Sequence, residues 1–374
     1  VWRAWVINGS ERLDVPKVTV VESEITLAFP HYNSAIRATL SANGSRLDGE
    51  WTKRGRNDRV VKLAFHATAG AGARFGPPPG ADACRSATSI AGRWAMKFEQ
   101  DKDACIGVFE ASEGGVTGTV LTPTGDFRFL AGDFCSDGPG KDTRGGRLRL
   151  SAFDGAHAFL ITASTQDGET LKGDFWSGDT FHDTWTGKRD AGAALPDAFQ
   201  QTKGVEGVKL ESLAFPDLKG VKRPLSDPMF AGKARVLEVF GSWCPNCNDA
   251  SQYLVELHKK YKDRGLSIVG LAFEYSGDFQ RDAQQVRAFA DYHKIEYPLL
   301  LAGVADREKA SAALPLIDAL RAFPTLIVLD AAGKVRAVYT GFSGPATGAE
   351  YDQFRVKFES LIEELLRSPK PGPG

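Results

Sequence analysis

The stretch Glu238–Tyr261, "EVFGSWCPNCNDASQYLVELHKKY", decides the fold of the C-terminal half of the chain. An apolar run typical of a buried strand leads into two cysteines, Cys244 and Cys247, which are separated by two residues. The amphipathic run that follows predicts a helix. Pro245 suits its first turn, because the missing N–H of proline would have no helical partner there. The sequence therefore predicts a strand, a sharp turn and a helix with Cys244 at its N-terminus.

This position favours a reactive thiol at Cys244. Unpaired N–H groups and the helix dipole stabilise a thiolate at a helix N-terminus, and Cys247 lies one turn later, within reach of a disulfide. A thiolate beside a second thiol is what thiol–disulfide exchange requires. The alternatives are half of a zinc site or an inert structural disulfide. A tetrahedral zinc site needs about two more ligands, and the sequence has no second CxxC or HxxxH, so no metal or cofactor is predicted.

Strands alternate with helices around this motif, which predicts an α/β layer structure over residues 207–367. The run "LSIVGLAFEY" predicts a second buried strand, and "TLIVLD" and "VRAVYTG" predict two more. Helices are predicted for "QRDAQQVRAFADYHKI", for residues 307–323 and for "GAEYDQFRVKFESLIEELLRS". Residues 368–374 are predicted to form a flexible tail.

Residues 1–190 predict an all-β domain. Short runs such as "RVVKLAFHAT" and "CIGVFEAS" recur at close spacing with Gly-containing turns, which is typical of an antiparallel barrel or sandwich. The Pro/Gly-rich stretch "AGAGARFGPPPGADAC" divides this region into possible subdomains, 1–68 and 91–190. Residues 191–206 are predicted to be a linker to the α/β domain.

Composition excludes several classes of function. The 374 residues include 46 Lys and Arg against 47 Asp and Glu, a net charge of −1, so no basic excess indicates nucleic acid as a partner. No apolar run is long enough to predict a transmembrane segment. Because the chain starts at Val1 inside strand-like sequence, we expect that a targeting segment was removed.

Two motifs carry a resemblance to a known family. "VLEVFGSWCPNCNDA", followed about eighty residues later by "FPTLIVLDAAGKV", resembles the thioredoxin superfamily, in particular the TlpA-like and ResA-like protein disulfide reductases of bacterial cell envelopes. The resemblance covers about residues 207–366. The N-terminal β domain is similar to the extra domain of some larger TlpA-like proteins.

The resemblance implies a role for each matching residue. Cys244 would attack the substrate disulfide, and Cys247 would resolve the mixed disulfide. Pro324 matches the cis-proline beside the active-site cysteines, and the substrate-binding segment is Phe323, Pro324 and Thr325, in which the backbone of Phe323 would pair with the substrate chain. Trp243 would shield one side of the sulfurs. The implied partners are disulfide-bearing protein substrates and an unidentified envelope thiol donor, in the bacterial periplasm or cell envelope.

Glu238 stands six residues before Cys244, where thioredoxins carry a buried Asp. Its apolar neighbours indicate burial, and desolvation raises the pKa of a buried carboxyl. Glu238 could then accept the proton of Cys247 while the mixed disulfide resolves. The alternative is a glutamate at the strand end that faces solvent.

Two other classes of function stay open. A thiol peroxidase of the peroxiredoxin type shares part of this fold, although "FGSWCPNC" lacks the proline and threonine that normally precede its reactive cysteine. In a binding protein, the β domain would hold a ligand and the thioredoxin fold would be secondary.

The three other cysteines predict one structural disulfide. If the strands of residues 91–190 form a simple up-and-down meander, Cys105 begins a strand and Cys135 ends a later one, at opposite ends of the sheet. A disulfide needs Cα atoms within about 7 Å, so that pair is excluded. Cys84 starts at the same end as Cys135, which predicts a Cys84–Cys135 disulfide and a lone thiol at Cys105.

Overall fold

The computed structural model describes residues 2–70, 72–76, 90–112, 115–136 and 145–367. It consists of two compact units. The first contains residues 1–29, 34–54 and 60–195, and the second contains residues 30–33, 55–59 and 196–374. The first is all-β and the second is α/β, which confirms the predicted fold class.

The boundary between the units differs from the predicted one. Residues 196–206, predicted as linker, belong to the second unit. The ring of Phe199 lies 4.8 Å from that of Tyr339, and the N–H of Val205 donates to the carbonyl of Leu316 over 2.8 Å. These contacts order the segment. The predicted tail, 368–374, lies outside the described residues.

The first unit begins with a hairpin and a five-stranded antiparallel meander. Side chains in the meander alternate between exposed and half-buried positions, as in Val60–Thr68, because successive residues of a strand point to opposite faces. The hairpin is β1 (Trp5–Asn8) and β2 (Glu11–Asp14), and the meander is β3 (Lys17–Val21), β4 (Glu24–Phe29), β5 (Ser34–Leu40), β6 (Arg46–Arg54) and β7 (Val60–Thr68).

A closed barrel of eight antiparallel strands follows. Each strand pairs with the next along the chain, and the last pairs with the first. The predicted meander is therefore confirmed, and the fold is a barrel rather than a sandwich. The interior is filled by side chains that include Trp94 and Trp185. The strands are β8 (Gly92–Phe98), β9 (Cys105–Ser112), β10 (Gly115–Thr122), β12 (Leu130–Ser136), β13 (Gly146–Phe153), β14 (Ala158–Thr165), β15 (Thr170–Ser177) and β16 (Phe181–Arg189), with a short β11 (Gly125–Asp126) beside β10.

The barrel cysteines lie on different strands. Cys105 is a free, buried thiol at the start of β9. Cys135 is buried near the end of β12. Cys84 and most of the Pro/Gly-rich stretch lie outside the described residues, so the Cys84–Cys135 pairing stays a prediction.

The second unit is built on a five-stranded mixed sheet. The strand order is β21-β20-β19-β22-β23; β19, β20 and β21 run parallel, and β22 and β23 pair antiparallel. The strands are β19 (Ala234–Phe240), β20 (Leu266–Glu274), β21 (Leu299–Val304), β22 (Thr325–Asp330) and β23 (Val335–Thr340), preceded by a small hairpin of β17 (Ala214–Pro216) and β18 (Lys222–Pro224). The helices are α1 (Pro245–Tyr261), α2 (Phe279–His293), α3 (Arg307–Ala313) and α4 (Ala349–Arg367).

Helices cover both faces of this sheet, and β19 lies at its centre. All seven residues of β19 are buried, because alternate side chains enter two different cores. Val236 and Phe240 pack with α1, α2 and α4, whereas Leu237 and Val239 pack with α3 and the segment after it. The central strand therefore fixes the turn that leads into α1.

The predicted helix over residues 307–323 is wrong beyond Ala313. Leu314 leaves the helical region, with φ −125° and ψ 63°. Pro315 follows it, and the ring of a proline disfavours helical backbone at the preceding residue. The remaining residues reach β22 without regular helix.

Candidate active site

Cys244 is the N-cap residue of α1, directly after the buried strand β19 and a short turn. Its φ of −102° and ψ of 116° are extended, and Pro245 occupies the first helical position. The Sγ atom accepts a hydrogen bond from the N–H of Cys247 over 3.3 Å. The helix N-terminus thus directs a backbone donor at the sulfur, as the sequence predicts.

The two thiols differ in access to solvent. Both are free in this structure. Cys244 is 7% exposed, whereas Cys247 is fully buried at 0%. Burial raises the pKa of Cys247 well above its ordinary value, and its contact with Cys244 raises it further. Cys244 is therefore the more accessible of the two thiols, and burial favours the protonated form of Cys247.

The loop before β22 brings the proline segment to this pair. The Phe323–Pro324 peptide bond is cis, and the thiol of Cys244 donates to the carbonyl of Phe323 over 3.5 Å. Thr325 departs from its predicted role in substrate binding. It is fully buried, because it is the first residue of β22, and its hydroxyl donates to the carbonyl of Ala322 over 2.8 Å. Its side chain stabilises the loop from within.

Glu238 is completely buried in β19 and is held by two hydroxyl donors. Ser251 Oγ donates to Oε1 over 2.5 Å, and Tyr297 donates to Oε2 over 2.9 Å. Burial raises the pKa of Glu238 to about 7, although both hydrogen bonds act in the opposite direction. Its charge in turn raises the pKa of Cys247. The charge of Glu238 and the pKa of Cys247 are thus linked inside the protein.

Sequence reasoning missed Ser251 and Tyr297. Ser251 is four residues after Cys247, so both lie on the α1 face that packs against β19; this spacing is a signal that the sequence contains. Tyr297 precedes β21 and reaches Glu238 only through the packing of the sheet. No local pattern marks it.

Trp243 forms an aromatic wall beside Cys244. Its indole N–H donates to the carbonyl of Phe273 over 2.9 Å. The ring stacks on Tyr275 with centroids 4.8 Å apart, and meets Phe323 edge to face at 5.5 Å. The shielding role of Trp243 stays a prediction, and Tyr275 extends the aromatic wall in a way that the sequence did not indicate.

Glu274 at the end of β20 holds the turn before the cysteines. Its two carboxyl oxygens accept the N–H and the hydroxyl of Ser242, each over 2.8 Å. Burial raises the pKa of Glu274 to about 8, while the bonds to Ser242 act in the opposite direction. Only 3% of Glu274 is exposed, so its carboxyl faces the protein interior.

Asn248 ties the first turn of α1 to α2. Its amide nitrogen donates to the carbonyl of Cys244 over 3.0 Å, and its Oδ1 lies 2.7 Å from Nε2 of His293. Together with Glu274 it fixes the backbone on both sides of Cys244. Among the described residues, no group of three or more His, Cys, Asp or Glu side chains is arranged to hold a metal ion.

Known proteins resemble this chain in the region of the site. The family model described as Redoxin matches residues 191–353. The thioredoxin-like protein YneN of Bacillus subtilis is 27% identical over 136 residues, 36% of this chain and 72% of that protein. The thiol-disulfide oxidoreductase ResA of Bacillus thuringiensis subsp. konkukian is 29% identical over 129 residues, 34% of this chain and 66% of ResA.

Solved structures match the same part of the chain. A putative thiol:disulfide interchange protein DsbE from Chlorobium tepidum has 20% identity and a TM-score of 0.31, covering 41% of this chain and 92% of that one. A secreted disulfide oxidoreductase of Mycobacterium tuberculosis has 17% identity and a TM-score of 0.29, covering 38% and 94%. By the family match and the ResA relatives, the C-terminal region is similar to the ResA-like proteins of the thioredoxin superfamily, and an extra β-rich region precedes it.

Proposed function

We propose that this protein is a thiol-disulfide oxidoreductase that reduces disulfides of proteins through Cys244 and Cys247. One observation carries the proposal: a slightly exposed thiol at a helix N-terminus lies one turn from a fully buried thiol that is coupled to a buried carboxyl. Attack on a substrate disulfide needs the accessible thiol at the helix N-terminus. Resolution of the mixed disulfide needs the second thiol one turn away. The ResA relatives are named for this chemistry.

The proposed reaction has two exchange steps. The Cys244 thiolate attacks one sulfur of the substrate disulfide, forming a mixed disulfide and releasing the other substrate sulfur as a thiolate that takes up a proton. Cys247 then loses its proton and attacks the Cys244 sulfur. The Cys244–Cys247 disulfide forms, and the second substrate sulfur leaves as a thiol. Two electrons pass to the substrate, and an external thiol donor must restore the dithiol.

Glu238 is proposed to accept the proton of Cys247 in the second step. A carboxyl with a pKa of about 7 exchanges protons readily at neutral pH. Ser251 and Tyr297 orient it through its two oxygens. The substrate chain is proposed to pair with the backbone of Phe323, beside Trp243.

Reduction of insulin disulfides tests the proposal. The wild-type protein with a small thiol donor should precipitate insulin B chain, and Cys244→Ser should not. Peroxide consumption with the same donor is the contrasting readout; rapid peroxide turnover without insulin reduction would replace this proposal with a thiol peroxidase.

We further propose that the protein works outside the cytoplasm, in the periplasm or cell envelope, with an envelope thiol donor as its reductant. The resemblance to envelope disulfide reductases supports this location. Separately, none of the helices in the described part of the chain has the length and hydropathy of a membrane span. Fractionation of cells that express the native gene tests it. Recovery of the protein only with cytoplasmic markers would reject this location.

A further inference from the structure

The turn Gly55–Arg59 belongs to the same compact unit as the redox site. Two contacts hold it there. Nη2 of Arg56 donates to the carbonyl of Ala305 over 2.5 Å, and the carboxylate of Asp58 forms an ion pair with Arg281 near the start of α2. The position of Arg56 is therefore defined by several contacts of the turn.

Arg56 lies at the far end of the aromatic wall beside Cys244. Its guanidinium carbon is 5.4 Å from the centroid of the Tyr275 ring, a distance at which a cation is attracted to an aromatic face. Tyr275 stacks on Trp243, which contacts Phe323. One continuous surface thus runs from the proposed substrate-pairing segment to a positive charge.

Electrostatic coupling links the two ends of this surface. Burial raises the pKa of the Tyr275 hydroxyl, the positive charge of Arg56 lowers it, and the charge of Cys244 raises it. The pKa of Tyr275 therefore depends on the charges of both Arg56 and Cys244. The nearby carboxylates are engaged elsewhere: Asp58 pairs with Arg281, and Glu274 accepts both donors of Ser242. Among the described residues, none forms an ion pair with Arg56.

We propose that Arg56 selects disulfide-bearing polypeptides that carry a carboxylate near the reacting cysteine, an inference that rests on the proposed reductase function. Arg56 is exposed. A guanidinium presents five N–H donors in a planar fork that matches a carboxylate. Arg56 uses part of this fork for the carbonyl of Ala305 and the hydroxyl of Tyr275. An acidic side chain of the substrate completes this site.

The geometry also sets where that carboxylate lies in the substrate. The steps from Phe323 to Trp243, to Tyr275 and to Arg56 are 5.5, 4.8 and 5.4 Å. An extended chain advances about 3.3 Å per residue. Because these steps together are the longest path to Arg56, a substrate that pairs along Phe323 places its acidic residue within about five positions of the reacting cysteine.

Two matched peptides test this inference. Both contain the same intramolecular disulfide, and they differ only in Asp or Asn four residues from the reacting cysteine. The wild-type protein should reduce the Asp peptide with a kcat/KM about three- to tenfold higher, mainly through KM, as expected for an exposed charge pair. Raising the salt from 0.05 to 0.5 M should weaken the preference.

Arg56→Gln should abolish the preference without slowing reduction of the Asn peptide. Arg59→Gln removes the same charge from the same turn and should keep the preference. An equal rate for both peptides with the wild-type protein, or a preference that survives in Arg56→Gln, overturns the inference while the reductase function stands. Equal slowing of both peptides in Arg56→Gln also overturns it, since Arg56 would then act on the thiolate. If wild type reduces neither peptide, the proposed function itself fails, and the inference fails with it.

Discussion

Buried carboxyls have opposite environments in the two compact units. In the first unit, which contains the barrel, burial alone would raise the pKa of Asp154, but His157 and Arg128 lower it overall. In the second unit, which contains Cys244 and Cys247, Glu238 and Glu274 are also buried, but they accept hydrogen bonds only from hydroxyl and backbone N–H donors. Burial raises their pKa values to about 7 and about 8. The charge of Arg128 and the hydrogen bonds from His157 keep Asp154 ionised, whereas burial with only neutral donors leaves Glu238 and Glu274 with pKa values near neutral pH.

Buried thiols show the same contrast. Burial raises the pKa of Cys105 in the barrel to about 12, and the charges of Asp101 and Asp103 add to this. Burial likewise raises the pKa of Cys247. Of these two thiols, Cys247 is the one that lies one helical turn from a more accessible thiol, and the charge of Glu238 raises its pKa further. The neighbours of a buried thiol, and not burial alone, decide whether it takes part in exchange.

The largest effect is expected for the attacking thiol. Cys244→Ser should reduce insulin reduction to the rate of the thiol donor alone, because serine forms no mixed disulfide. The matched control is Cys105→Ala in the barrel, which should keep full activity and lose about 1 kcal/mol of stability from a small cavity. Activity that depends on Cys105 would break the contrast between the two units.

The resolving thiol gives the next largest effect. Cys247→Ser should trap a mixed disulfide between Cys244 and the substrate, visible on a non-reducing gel and removed by dithiothreitol. In the reduced wild-type protein, iodoacetamide should label Cys244 before Cys247 and Cys105, since a thiol with a pKa of about 12 is ionised in only about one molecule in ten thousand at pH 8. Faster labelling of Cys247 in a mass-spectrometric time course would reverse the assigned roles.

A smaller effect is expected for the buried proton acceptor. A carboxyl with a pKa of about 7 accepts protons only above that pH, so resolution of the mixed disulfide should accelerate as the pH rises through 7. Glu238→Gln should remove this pH-dependent acceleration and slow resolution of the mixed disulfide on the order of a hundredfold at pH 8. Rapid-quench measurement of substrate release checks it, with Glu296→Gln on the surface as control. An unchanged pH profile in Glu238→Gln would exclude Glu238 from the reaction.

The core of the redox site was predictable because its signals are local. The buried strand, the cysteine spacing and Pro245 together specify Cys244 at a helix N-terminus, and apolar neighbours specify burial of Glu238. The supporting residues were not predictable in the same way. Tyr297 lies 59 residues from the carboxyl that it contacts, and a buried tyrosine beside a strand has the same sequence pattern as ordinary core.

The β-rich region shows the same limit at the level of topology. Alternating patterns and Gly-containing turns predict its strands, but closure depends on pairing of β16 with β8, which are far apart in the sequence. The alternation of residues alone therefore could not distinguish a barrel from a sandwich. The assignment of residues 30–33 and 55–59 to the second unit is likewise invisible in the sequence, because both are short segments between strands.

The last expected effect is on stability rather than on activity, and it has opposite signs in the two units. A carboxyl whose pKa rises on folding holds a proton that the unfolded chain releases, so the free energy of unfolding falls as the pH rises from its ordinary pKa of 4.5 to about 8 for Glu274. Glu274→Gln keeps an acceptor and a donor for Ser242 and removes the charge. This variant should gain up to about 5 kcal/mol over wild type at pH 9 and almost nothing at pH 4.

Asp154→Asn should behave in the opposite way. Because the pKa of Asp154 is lowered on folding, its stabilisation is complete above the ordinary pKa of 3.8 and is lost as the pH falls below it. The variant should therefore be less stable than wild type by about 2 kcal/mol at pH 7, and the difference should shrink in acid. Urea unfolding of wild type and both variants at pH 3, 4, 7 and 9 measures the two slopes. Slopes of the same sign would show that the buried carboxyls of the two units do not differ in charge state, and the contrast would fail.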